Sequence, residues 1–258
     1  MITSASNDKI KRIKKLMRSA GFRREEHVFL VENIRMVREI PKTWLLALYV
    51  AESSMEKFAD VIADCGQIPV EIVRDSVFSG MSDTSTPQGI LAEVSMPAYK
   101  TLDLLAEEEA PFILVIEHLQ DPGNLGTIIR TAEGAGVTGI LMSGDTVDIY
   151  NPKVIRSTMG SVFRVPFRVT EQLADEVELL QRNGITIYGA HLSGGSFYEK
   201  DFRKPCAFLI GNEGNGLSDA ISKKADDLIR IPMKGKVESL NAAISTAVIA
   251  YEVLRQRT

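Results

Sequence analysis

The segment Ile231–Ala243, written IPMKGKVESLNAA, brings a strand end, a loop and a helix start together within about a dozen residues. Pro232 removes a backbone donor and stops the apolar run Leu228–Ile231. Gly235 lets the loop turn. Ser239 and Asn241 flank Leu240 where a long amphipathic helix, Ser239 to about Arg257, is expected to begin. Such junctions expose backbone N–H groups and gather ligands. The same residues also suit a plain strand–turn–helix capped by Ser239.

Two other stretches carry comparable chemistry. Gly211–Gly216 holds three glycines with Asn212, Glu213 and Asn215 between them. No Lys-Ser/Thr pair follows, so it is not a phosphate loop of the Walker kind. A carboxylate inside it repels phosphate and suits an ammonium, a sulfonium or ribose hydroxyls; alternatively, Glu213 caps the helix that follows Leu217. The third stretch pairs Asn124 with Arg130, six residues apart on an expected helix and therefore about 240° apart around it. Arg130 sits between Ile129 and Thr131 and needs an acceptor, whether a ligand, solvent or a surface carboxylate.

These stretches need a frame, and hydrophobic periodicity supplies one. Phe112–Ile116 is a continuous apolar run, as in a strand buried on both faces of a parallel sheet. Further strands are expected at Gly139–Met142, Phe163–Val169, Ile185–Ala190, Cys206–Ile210 and Leu228–Ile231, alternating with helices at Asn124–Ala135, from Asn151-Pro152 to near Gly160, and at Glu171–Asn183. Alternation of this kind gives a mostly parallel sheet with helices on both faces. Upstream, residues 7–19 read as a helix with Ile10, Ile13, Leu16 and Met17 on one stripe, ended by Gly21. Strands at Phe29–Val31, Trp44–Val50, Pro69–Val73 and Ile90–Val94, with helices to about Ile40 and over Ser53–Cys65, complete a small α/β domain in which Trp44 is a core residue. Pro97, the acidic run Glu107–Glu109 and Pro111 break periodicity. The expected division is residues 1–97, a linker at 98–110 and a second domain at 111–258.

Composition bounds the function class. The hydrophobic fraction of 45% and charged fraction of 25% suit a soluble globular chain. No run of about 18 apolar residues suggests a membrane span, and the first dozen residues lack the apolar core of a secretory leader. Cys65 and Cys206 stand far apart without CxxC spacing or clustered histidines, so no metal site is expected and a reducing cytoplasm fits. Net charge is −4, which disfavours a nucleic-acid partner, yet Lys9, Lys11, Arg12, Lys14, Lys15, Arg18, Arg23 and Arg24 face only Asp8 within the first 24 residues. That cluster is a footprint for phosphate contact, with Lys11, Lys14, Lys15, Arg23 and Arg24 as RNA-binding candidates; the alternative is a solvated helix face.

Three motifs in order, Asp121-Pro122-Gly123-Asn124-Leu125-Gly126 with Arg130, Ile210–Leu217, and Ile231–Gly235 with Ser239-Leu240-Asn241, closely resemble those of the SpoU-type (TrmH-like) branch of the SPOUT RNA methyltransferases. The resemblance extends to Ser157, Met159-Gly160-Ser161 and Phe163–Pro166. It also reaches Phe29–Glu32 and Thr86–Ile90, similar to the family's substrate-binding domain; Asn33 stands where the family has glycine. The resemblance implies a trefoil knot in the second domain, a homodimer, and S-adenosylmethionine as cofactor, held by Gly211, Ile231 and Leu240 with His191, Leu192 and Met233 beside them. It implies methyl transfer to a ribose 2′-hydroxyl in RNA, with Arg130, Asn124, Glu213, Ser239 and Asn241 as the catalytic set. Arginine stays protonated in proteins, which favours charge stabilisation over a base role for Arg130. Ribosomal RNA is the expected substrate; transfer RNA, or non-catalytic RNA binding on the same fold, are the alternatives. A doubly wound nucleotide-cofactor enzyme is disfavoured because no GxGxxG follows the first long strand.

Overall fold

The computed structural model describes residues 1–105 and 110–258. The acidic run expected in the linker, Glu107–Glu109, lies outside the described residues. The chain divides into two compact units, Met1–Pro97 with Asp148–Phe163, and Ala98–Val147 with Arg164–Thr258.

The first unit opens with α1 (Asp8–Arg18), capped by the Asn7 side chain, which accepts from Lys9 N. Ile10, Ile13 and Leu16 are fully buried, so the cations are left on the outer face. Gly21 does not end this helix. The break falls at Ser19, whose extended backbone closes α1 and whose hydroxyl accepts from Phe22 N to start α2 (Ala20–Glu26). Next come β1 (Val28–Glu32), α3 (Ile34–Val37), β2 (Leu45–Ala51), α4 (Ala59–Asp64), β3 (Val70–Val73), α5 (Asp75–Ser79) and β4 (Ile90–Ser95). The helix expected over Ser53–Cys65 is a 3-10 turn at Glu52–Ser54 followed by α4. Ser53 caps nothing there, because its N–H and hydroxyl both donate to Asp75. The sheet order is β1-β4-β2-β3, with only β2 and β3 parallel. Trp44 is half-buried and meets Phe163 edge-on. Later in the chain, α7 (Pro152–Thr158) also packs on β1, and Tyr150 lies 4.8 Å from the Phe29 ring. This is why Asp148–Phe163 groups with the first unit.

The second unit contains β5 (Phe112–Ile116), α6 (Pro122–Gly134), β6 (Gly139–Ser143), β7 (Phe167–Thr170), α8 (Leu173–Arg182), β8 (Thr186–Ser196), β9 (Cys206–Ile210), α9 (Asp219–Ser222), β10 (Asp227–Arg230) and α10 (Ala242–Arg257). All six strands are parallel, in the order β10-β8-β9-β5-β6-β7. Every residue of β5 and β9 is buried, as their apolar runs require. Ile113, Val115 and Leu209 pack with Val177, Leu180 and Ile221 from α8 and α9. Phe112, which points to the opposite face by strand alternation, carries the Arg257 guanidinium of α10 above its ring at 5.6 Å. Helices therefore cover both faces. The strand expected from Phe163 starts only at Phe167, because Ser161–Phe163 is a 3-10 turn and Pro166 has no N–H to donate. Successive strands leave β5 in both directions, which opens a crevice at the carboxyl ends of β5 and β9.

Candidate active site

β8, expected to stop at Ala190, runs to Ser196. Its pairing with β10 jumps from Leu228–Gly189 to Ile229–Gly195, so Ala190–Gly194 bulges from the ladder. A Cβ on Gly194 would lie 2.6 Å from the backbone of Ile229. Glycine there lets the two main chains touch while His191 and Leu192 are pushed outward. The His191 ring is braced by Ser193, with Nδ1 2.7 Å from Oγ.

The carboxyl end of β9 feeds a tight hairpin. Asn212 and Gly216 exchange both backbone hydrogen bonds, at 2.9 and 3.0 Å. The Asn212 side chain accepts from Gly214 N at 2.8 Å and donates to His118 O at 2.8 Å. A Cβ on Gly211 would stand 2.2 Å from the Gly216 carbonyl carbon. Only glycine permits this stacking of peptide on peptide.

The helix after β10 begins at Ala242, not at Ser239. Asn241 is the cap, and its Oδ1 accepts from Ala243 N and Ile244 N. Ser239 is exposed in the preceding loop and makes no hydrogen bond among the described residues. The bulge, the hairpin and this loop enclose a cavity of about 320 Å³. His191, Leu192, Gly211, Ile231, Met233 and Leu240 all line it, as do Glu213 and Ser239. The structure thus brings together every residue the sequence marked for cofactor contact.

A polar relay joins the three motifs. Asn241 Nδ2 donates to Asn124 Oδ1 at 3.0 Å, and Asn124 Nδ2 donates to Glu213 Oε1 at 2.9 Å. The backbone N–H groups of Gln120 and Asp121 also point at the Glu213 carboxylate. Burial opposes ionisation of Glu213, but these hydrogen bonds, Asn124's first, outweigh it and hold the carboxyl below its usual range. Asp121 caps α6 by accepting from Asn124 N at 2.8 Å. Arg130 lies further along α6, exposed, with no hydrogen bond or ion pair among the described residues. The relay therefore includes Asn124, Glu213 and Asn241, while Ser239 and Arg130 stand free of it.

Sequence reasoning missed two anchors. Glu117 is buried and accepts from Ser218 N at 2.8 Å and Ser218 Oγ at 2.6 Å, pinning the exit of the hairpin to the end of β5. The signal was a charge placed directly after an apolar run. His118 adopts a left-handed backbone, φ 55°, and its Nδ1 lies 2.5 Å from Asp145 Oδ2.

In the first unit, one RNA-binding candidate is corrected. Arg23 is only 3% exposed; it binds Asp148 through Nε at 2.9 Å and donates to the carbonyls of Leu16 and Met17. It cannot reach a phosphate. Lys11 pairs with Asp8 at 3.0 Å where both are exposed, and Lys15 lies over the Phe22 ring at 3.8 Å. Lys14 and Arg24 have no ion pair among the described residues. No group of three or more metal-ligating side chains occurs among the described residues, and no described helix is long and apolar enough to cross a membrane.

Residues 111–251 match the SpoU rRNA Methylase family, and residues 7–92 match the MRM3-like substrate binding domain. The chain is 34% identical to the 23S rRNA guanosine 2′-O-methyltransferase RlmP of Bacillus subtilis over 98% of each chain. It is 32% identical to a 23S rRNA uridine 2′-O-methyltransferase of Streptomyces viridochromogenes, covering 89% of this chain and 83% of that one. The AdoMet-bound rRNA methyltransferase of Sinorhizobium meliloti superposes with a TM-score of 0.86 at 31% identity, over 100% of this chain and 98% of the other.

Proposed function

We infer that this chain, which belongs to the SpoU rRNA methylase family, transfers a methyl group from S-adenosylmethionine to a ribose 2′-hydroxyl of ribosomal RNA. One observation carries the reading: the six residues marked for donor contact line a single cavity, and the relay from Asn241 through Asn124 to Glu213 closes its edge. The cavity fits the donor. At about 320 Å³ it lies within the range of small-molecule sites. Gly194 and Gly211 let the main-chain segments that frame it pack directly on one another, so its walls are largely backbone. The ionised Glu213 on its wall suits a cation better than a phosphate. When bound, the donor supplies a methyl group made electrophilic by its sulfonium.

The chain's own residues do the rest. The hairpin and the bulge fix the donor's direction, which an in-line displacement demands. Arg130 holds its charge where an RNA phosphate can be gripped and a developing alkoxide steadied, the proton leaving to that phosphate or to water. Ser239, unengaged on the cavity wall, is free to orient the ribose or the amino-acid end of the donor. Asn124, Glu213 and Asn241 hold the start of α6, and with it Arg130, in register.

The first unit binds RNA, with Lys11, Lys14, Lys15 and Arg24 as phosphate contacts. The backbone is a trefoil knot, a reading that the SpoU family match supports. The chain acts as a cytoplasmic homodimer; Ile244 and Tyr251, 51% and 53% exposed on one stripe of α10, supply an apolar contact. Mapping 2′-O-methyl positions in ribosomal RNA from cells with and without the protein tests the activity. Loss of one ribose methyl is expected, and an unchanged map overturns the reading.

A further inference from the structure

The loop Ile231–Leu240 has two sides. Met233, Glu238, Ser239 and Leu240 form part of the cavity wall. Lys234 and Lys236 do not line the cavity; they are exposed, with no hydrogen bond or ion pair among the described residues. Gly235 between them has open space around it. At about 320 Å³ the cavity is near the lower end of small-molecule sites, so it admits a donor but not a polynucleotide. The phosphates flanking an acceptor ribose must therefore rest outside, on the rim. The protein carries a net charge of −4, so exposed cations without a carboxylate partner are the places that attract RNA most strongly.

We propose that Lys234 and Lys236 grip the RNA phosphates beside the acceptor nucleotide and thereby hold the opposite side of the same loop down on the donor. The proposal rests on the methyl-transfer reading and adds a coupling to it. RNA on the outer side pins Met233 and Leu240 on the inner side, so RNA and donor each strengthen the other's binding, as linkage requires. The two lysines act on the donor only through the loop, so they are positioning residues rather than catalytic ones.

The test uses the full-length chain, an unmethylated 23S ribosomal RNA transcript and labelled S-adenosylhomocysteine, which binds without turnover. With the wild-type chain, the transcript is expected to tighten S-adenosylhomocysteine binding about fivefold or more. The double variant Lys234→Gln/Lys236→Gln should bind S-adenosylhomocysteine without RNA as the wild type does and lose the RNA-dependent gain. Its KM for the transcript should rise about tenfold, and its salt dependence should weaken by roughly 0.7–0.9 in log–log slope for each phosphate left without its lysine. Lys234→Arg/Lys236→Arg should restore both. An absent gain in the wild type, or an unchanged KM and gain in the glutamine variant, overturns the coupling. A wild-type chain that binds no S-adenosylhomocysteine or methylates no ribosomal RNA overturns the methyl-transfer reading itself.

Discussion

Asn241 donates its side-chain amide to Asn124 across 117 residues of chain, and the charge on Glu213 dictates which way both amides point. An ionised carboxylate only accepts, so Asn124 must present Nδ2 to Glu213. Its Oδ1 is left to accept, so Asn241 must present Nδ2 in turn. The remaining Asn241 oxygen then caps α10. One charge thus orders a loop, two helix starts and the edge of the cavity.

This sets apart two roles of Asn241. Asn241→Asp keeps the cap oxygen but removes the donor, so thermal stability should stay near wild type while kcat falls. Asn241→Ala loses both, costing about 1 kcal/mol for the cap, or roughly 2–4 °C in Tm, together with the kcat loss. Calorimetry and single-turnover methylation of both variants check this. An aspartate variant with full kcat would sever the relay from catalysis.

Two glycines of the same hairpin should differ sharply in their tolerance of a methyl group. Gly211→Ala forces a methyl group to 2.2 Å from the Gly216 carbonyl carbon and 2.3 Å from Leu217 N, both backbone atoms that cannot step aside. Gly214→Ala meets nothing closer than the Asn212 side-chain oxygen at 3.4 Å. Calorimetric titration with S-adenosylmethionine should show at least a tenfold loss in the first variant, about 1.4 kcal/mol, and near-normal affinity in the second.

Residues whose partners are close in sequence were legible; those decided by distant chain were not. β5 and β9 announced themselves as uninterrupted apolar runs and Asn151-Pro152 as a helix start, whereas α6, expected from Asn124, begins two residues earlier at Pro122 under the Asp121 cap. Ser239 was the expected cap of α10, but the structure puts Asn241 there. Asn124, more than a hundred residues upstream, decides for Asn241. The extension of β8 past Ala190 needs β10 beside it, and no pattern within His191–Ser196 encodes that. Arg23 looked like its basic neighbours because Asp148 lies 125 residues away.

That pair predicts a split between adjacent arginines. Removing the buried Arg23 leaves the partly buried Asp148 without its cation and takes a donor from the Leu16 and Met17 carbonyls, so Arg23→Ala should lower unfolding free energy by about 2–3 kcal/mol. Arg24→Ala should leave the urea midpoint within ~0.5 kcal/mol of wild type and weaken RNA binding at low salt. Filter binding and urea titration of the two variants separate the roles. Equal stability in both would mean that Arg23 is not the anchor described.

Glu32, at the end of β1, carries a different pH signature. It is buried, and neither carboxylate oxygen has a hydrogen-bond partner among the described residues. Burial pushes its carboxyl above the ordinary value of 4.5, and neighbouring Ser82 and the Arg156 charge offset only part of this. A carboxyl whose folded value is raised contributes stability that is fully present below about 4.5 and is lost as pH rises through the raised value. Glu32→Gln should therefore raise the urea midpoint at pH 7 and leave it unchanged at pH 4. A variant less stable at pH 7 would show that the ionised form has a compensating partner.

Arg130 gives the sharpest test of the chemistry because it is exposed and unpaired among the described residues, so its replacement should not disturb the fold. Arg130→Lys keeps the positive charge and loses the planar fork that can hold a phosphate and a sugar oxygen together. If charge alone steadied the alkoxide, methylation would be near normal. If the fork sets the geometry, kcat should fall about 10²-fold, in line with the cost of losing a positioned charge stabiliser, while donor affinity is unchanged because Arg130 does not line the cavity. Arg130→Ala should then fall only modestly further. Single-turnover methylation of ribosomal RNA by the two variants, read beside donor titrations, decides between fork and charge.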